Sequence, residues 1–82
     1  MMSEQEIFDK IKEVLIDDFE VEEELITKEA SFYDDMGLDS LDAIDLIVNL
    51  NNIYDIEVDN KEIEETRTIA QLITVIQNNL PK

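Results

Sequence analysis

The 82-residue chain has no cysteine and no histidine, only one glycine (Gly37), and 6 basic residues against 22 acidic ones. Without cysteine there are no disulfide staples, no thiolate metal sites and no intrinsic thiol chemistry. Without histidine as well, zinc would have carboxylates only, and no metal site is expected. No apolar run approaches the roughly 20 residues that cross a bilayer, and the opening "MMSEQEIFDKIKEV" lacks the basic start and apolar centre of a secretory signal. A soluble, cytoplasmic protein without membrane insertion is the expectation. The shortage of cations leaves a formal charge of −16, which repels nucleic-acid phosphate and anionic membrane surfaces, so the natural partners should be basic.

So acidic a chain could be a disordered tail, but 44% of its residues are hydrophobic and they recur at helical spacing. With no repeats and no Gly/Ser/Pro-rich linker, residues 1–82 read as a single domain. A chain of this size buries roughly 60–70% of its unfolded surface, enough for one modest core but no deep enclosed active site.

Ser3 and Glu6 have the spacing of a capping box, and Ile7, Phe8, Ile11, Val14 and Leu15 then line one face of a first helix. From 17 to 38 the apolar residues Val21, Leu25, Ile26, Phe32, Met36 and Leu38 follow no period, which suggests a long loop pinned to the core and therefore a functional one. A second helix is predicted from Ser40 to near Tyr54. Asp59 and Glu62 could cap a short third, and Thr68 and Gln71 make a box ahead of the stripe Ile69, Leu72, Ile73, Ile76 and Leu80, with Pro81 as the stop. "YDIEVD" alternates but has no partner strand. The fold class is all-α: a small bundle of three main helices plus one short helix, with a long loop between the first and second.

The second helix has more apolar surface than a bundle needs. At about 100° per residue, Ala43, Leu46, Ile47, Leu50 and Tyr54 form a core face, while Leu41, Ile44 and Val48 gather on nearly the opposite side. Periodicity alone leaves two fates for that second stripe, burial under the long loop or exposure to a partner. Asp45 lies within it, Asp42 on its flank and Asp39 just before the helix. A carboxylate in a buried face loses its hydration, so the mixture suits a basic, partly apolar docking surface better.

Ser40 opens this helix. A helix N-cap is the ordinary fate of such a serine, and Gly37 could simply supply positive φ in the preceding turn. Serine-hydrolase chemistry is excluded in practical terms, because neither a histidine nor a plausible lysine lies in the motif to activate the hydroxyl. A calcium loop begun at Asp55 would put Asn60 where the glycine belongs and Thr66 where the bidentate glutamate belongs. What remains is a serine that is acted upon, displayed where backbone N–H groups favour a covalently attached phosphate.

The segment "GLDSLD", Gly37 to Asp42, resembles the phosphopantetheine attachment motif of acyl carrier proteins, commonly Gly-x-Asp-Ser-Leu. Chain length, acidity and helix order, down to a last helix beginning in "TRTIAQLI", resemble that family too. The resemblance implies that Ser40 receives 4′-phosphopantetheine from coenzyme A through a phosphodiester. A phosphopantetheinyl transferase supplies the activating base, and the arm supplies the thiol the chain lacks. It also implies a non-catalytic, monomeric carrier of acyl thioesters in fatty acid or related specialised acyl biosynthesis, serving acyl-transferring or synthase enzymes with basic surfaces. Asp39 would lie near the transferase's metal ion, and Leu41, Asp42, Ile44, Asp45 and Val48 on the docking face. The alternatives are a D-alanyl or peptidyl carrier using the same serine, or an unmodified acidic helical adaptor in which Ser40 is only a cap. Where many fatty-acid carriers continue the second helix with an acidic run, this chain has Asn51 and Asn52, so the far end of the docking face is expected to be neutral.

Overall fold

Ser3 is extended (φ −76°, ψ 161°), its hydroxyl oxygen accepts the Glu6 N–H at 3.2 Å, and the chain turns helical at the next residue. In the computed structural model, which describes residues 3–80, the helices are α1 (Glu4–Phe19), α2 (Ser40–Tyr54), α3 (Asn60–Glu65) and α4 (Ile69–Asn79), with one 3-10 turn at Glu23–Leu25. This is the expected all-α arrangement of three long helices and one short one, with the long connection after the first. The stop assigned to Pro81 lies outside the described residues. Within them the only β-type pairing is an isolated antiparallel bridge between Ser31 and Thr68, and "YDIEVD" forms no strand.

The core is built where the helical periods placed it. Ile7, Ile11, Val14 and Leu15 of α1 meet Ala43, Leu46, Ile47 and Leu50 of α2 and Ile69, Leu72, Ile73 and Ile76 of α4. α1 packs against both α2 and α4. Thr68 and Gln71 close a complete capping box, Gln71 N–H to Thr68 Oγ1 and Thr68 N–H to Gln71 Oε1, both 3.2 Å, so α4 starts with two of its orphan donors satisfied. At α3 the Asp59 side chain makes no cap bond, and only its carbonyl receives the Ile63 N–H.

Helix one runs past the last residue of its apolar period to Phe19, half-buried one turn beyond Leu15. It ends at Glu20, which takes the left-handed conformation (φ 56°) that glycine usually supplies, with the Val21 N–H closing onto the Leu15 carbonyl at 3.1 Å. An acidic side chain held there is also repelled by the negative end of the helix dipole. Glu20→Gly is therefore expected to stabilise the fold by roughly 0.5–1 kcal/mol, the left-handed strain relieved less the extra entropy of glycine. An unchanged urea midpoint would contradict this.

The long loop is pinned as expected by Val21, Ile26, Phe32, Met36 and Leu38, all buried. Leu25 departs from that expectation and is 41% exposed. It ends the 3-10 turn, none of whose residues is buried, and the flanking Val21 and Ile26 take the inward positions.

Three ion pairs, Lys10–Glu13, Lys12–Glu23 and Lys28–Glu4, are formed among the described residues, each at 2.8–3.0 Å and each on the surface. Most carboxylates therefore have no cation partner among the described residues. Salt or magnesium, by screening them, should raise the melting temperature without a dedicated metal site. Thermal unfolding at several ionic strengths checks this, and a flat response would refute it.

Candidate functional site

The serine end of α2 is assembled by a short ladder of backbone bonds. Phe32 N–H donates to the Arg67 carbonyl and Leu38 N–H to the Phe32 carbonyl, both at 2.9 Å, while Met36 N–H returns to Ser31 at 3.2 Å. The Asp35 carboxylate accepts the Ser31 N–H at 2.7 Å and tightens the same turn. Phe32 and Leu38 are buried, so the turn cannot slide. Between Leu38 and the last anchor, Met36, Gly37 adopts φ +69°, a conformation an L side chain adopts only under strain.

Asp39, not Ser40, caps the helix. Its backbone is extended (φ −92°, ψ 179°) and its carboxylate accepts the Asp42 N–H at 2.9 Å. Ser40 is consequently the first helical residue, exposed, and its hydroxyl has no hydrogen bond among the described residues. This corrects the ordinary reading of Ser40 as a cap. The other two serines are engaged. Ser3 caps α1, and Ser31 Oγ accepts the Tyr33 and Asp34 N–H groups at 3.3 Å.

The backbone N–H groups of Ser40 and Leu41 also find no partner among the described residues, as the first turn of a helix requires. A free hydroxyl beside two open N–H donors at the positive end of a helix dipole fits a covalently attached phosphodiester. The side chains nearest Ser40 in sequence are Asp39, already committed to the cap, and Leu41. No cluster of three or more potential metal ligands occurs among the described residues.

The second stripe of α2 is open rather than covered by the loop. Leu41 is 71%, Ile44 40% and Val48 43% exposed, and Asp45 stands exposed among them with Asp42 half-buried on the flank. Asp39, Leu41, Asp42, Ile44, Asp45 and Val48 thus form one surface continuous with Ser40. Ile53, 49% exposed, adds an apolar residue on the Asp42 side that sequence reasoning missed. It falls on neither stripe, so no periodic signal marked it. Asn51 is not on this surface as expected. It is half-buried, its amide oxygen is out of contact with solvent and unpartnered, and only Asn52 is exposed at that end. Three residues on, the Tyr54 hydroxyl is likewise buried with no partner among the described residues, and burial, with the Glu6 charge adding, pushes its pKa up.

Residues 9–76, which contain this turn and surface, match the family described as the phosphopantetheine attachment site. The chain is 34% identical to an acyl carrier protein of Thermotoga maritima over 98% of its own length and 99% of that protein's. It is 35% identical to an acyl carrier protein of Lactobacillus acidophilus over 95% and 98% of the two lengths. In fold it is similar to the crystal structure of an acyl carrier protein from Thermotoga maritima, with a TM-score of 0.84 at 23% identity, covering 94% of this chain and 89% of that one. A helical bundle, a displayed serine unbonded among the described residues, and full-length likeness to carriers lead to one assignment: the chain belongs to the acyl carrier protein family, non-catalytic carriers that bear a 4′-phosphopantetheine arm.

Proposed function

We propose that Ser40 is the attachment point of the arm and that Asp39, Leu41, Asp42, Ile44, Asp45 and Val48 are the surface on which partner enzymes dock. The observation that carries this reading is the Ser40 hydroxyl, exposed and unbonded while Asp39 does the capping. A transferase has to break no internal bond to use it. In the transfer, Ser40 Oγ forms a bond to the pantetheine-side phosphorus of coenzyme A, the bond to the departing nucleotide phosphate breaks, and the hydroxyl proton goes to a base of the transferase. The arm, when bound, supplies the thiol on which acyl groups travel as thioesters. The chain's own part is to hold Ser40 at a rigid helix start, to leave the Ser40 and Leu41 N–H groups facing the phosphate, and to present carboxylates that attract basic partners.

The name shared by the full-length relatives favours an acyl cargo over an aminoacyl one. The role is carriage of acyl intermediates in fatty acid or related specialised biosynthesis, as a monomer in the cytoplasm. Its partners are a phosphopantetheinyl transferase and acyl-transferring or synthase enzymes with basic docking surfaces. Intact mass after incubation with such a transferase and coenzyme A tests the attachment. A gain of one arm per chain is expected, and no gain would sink the reading.

Charge on the docking face is concentrated at the serine end, where Asp39 and Asp42 lie, while Asn52 leaves the far end neutral. The transferase must engage Ser40 itself, so Asp42→Lys should slow modification by at least tenfold, chiefly through the encounter rate. Asn52→Glu should leave modification unchanged and improve loading by a general malonyl transferase that reads the whole helix. Asn51→Glu is the wrong variant for this test, because its side chain would carry charge into a half-buried site. Equal loading of the natural chain and Asn52→Glu would remove the case for a specialised carrier.

A further inference from the structure

The chain's sole arginine, Arg67, has no acidic partner among the described residues, in a protein with 22 acidic residues. Lys10, Lys12 and Lys28 are each held by a glutamate, and Lys61 on α3 is the other cation with no ion pair among the described residues. Arg67 instead lies over the ring of Tyr33, 6.0 Å from its centroid, and is exposed. Cation–π stacking of this kind engages the flat face of a guanidinium and leaves its edge donors open.

Its position is at the serine end of the bundle. The Arg67 carbonyl is joined to Phe32 and the Phe32 carbonyl to Leu38, each at 2.9 Å. Two ladder steps of about 5 Å each, and at most about 7 Å for the two residues from Leu38 to Ser40, separate the backbones of Arg67 and Ser40. These limits sum to about 17 Å, so the arginine side chain and the far end of a flexible arm tethered at Ser40 overlap in reach. Arg67 is further fixed at its base, where its N–H donates to Gln71 Oε1 at 2.7 Å in the capping box of α4.

We propose that Arg67, steadied on Tyr33, receives the anionic group tethered to Ser40. The group is the phosphodiester of the arm or a carboxylate on its cargo, two sources of one chemistry. This rests on Ser40 being the attachment point. A phosphodiester added beside Asp39 and Asp42 is repelled by both carboxylates, and Arg67 is an uncommitted cation tied to that end of the fold through Phe32. A guanidinium edge matches phosphate and carboxylate oxygens with two parallel donors. No ion pair has to be broken to free it. Arg67 acts as a positioning residue, holding the tethered anion toward the Tyr33 side and away from the docking carboxylates.

A single arginine gives a single Nε–H resonance, so the ¹⁵N-labelled natural chain reports directly. Four mass-verified samples are compared: unmodified, carrying the arm, carrying it acetylated, and carrying it malonylated. A downfield shift of the Arg67 Nε–H between unmodified and arm-bearing protein identifies the phosphodiester. A shift between acetylated and malonylated forms identifies the cargo carboxylate. Either should move the Tyr33 ring signals too and shrink in high salt. The same position in all four samples overturns the proposal, whereas failure to gain mass would refute the Ser40 assignment first. Arg67→Gln and Arg67→Lys supply an independent readout. If the phosphodiester is the source, its ³¹P resonance in the Gln variant departs from that of the natural chain and the Lys variant lies between them. If the cargo is the source, it is the malonyl carbon resonances that depart. No change in either resonance set would again overturn the proposal.

Discussion

Ser40→Ala is expected to abolish attachment of the arm completely, while Ser3→Ala and Ser31→Ala gain the full mass in the same reaction. The effect is all-or-none because the proposed bond is to that one oxygen and no neighbouring hydroxyl can replace it. Ser3 Oγ accepts the Glu6 N–H and its own hydroxyl lies 3.3 Å from the Glu6 carboxylate, so it is engaged twice at the other helix start. Ser31 Oγ is fixed by two N–H donors inside the loop turn. The Ala variant should also fold as well as the natural chain, since the cap of α2 belongs to Asp39 and the Ser40 hydroxyl makes no bond to lose. Circular dichroism and intact mass on one sample separate the two statements. Mass gained by Ser40→Ala would place the site elsewhere, and an unfolded variant would give Ser40 a structural role that its geometry does not contain.

Phe32→Ala should cost about 3–5 kcal/mol of stability, the usual range for removing a buried aromatic ring. Phe32 is fully buried, although it lies in a loop, and both of its backbone polar groups are used, one toward Arg67 and one toward Leu38. Its ring therefore clamps the segment before Ser40 onto the start of α4. Domains have only about 5–15 kcal/mol in total, so this variant should be partly unfolded at moderate urea. Hydrogen exchange at the Leu38 amide should accelerate before that of the α4 core, because the clamp opens first. A loss below about 1 kcal/mol would mean that the ring's site collapses around the cavity and that the loop is held by Ile26, Met36 and Leu38 without it.

Much of the fold was legible because its signals are local. Capping partners three residues apart and apolar positions three and four apart placed α1, α2 and α4. Around Ser40, the turn at Gly37 and the helix start at Ser40 were legible for the same reason, being set by neighbours in the chain. Even there one exchange escaped the sequence. Aspartate and serine are nearly equal as N-caps, and only the anchoring of Leu38 settles which of the two adjacent residues stands at the cap.

The helices, the charge and the serine's place at a helix start follow from residue type and spacing along the chain. Tertiary structure decided which side of α2 is covered, because a period names faces but not their neighbours. It turned Leu25 outward and Asn51 inward, orientations set by what packs around a turn and a helix end rather than by polarity. It also brought Arg67 to the serine end through Phe32, a contact between residues 35 positions apart that no local spacing encodes.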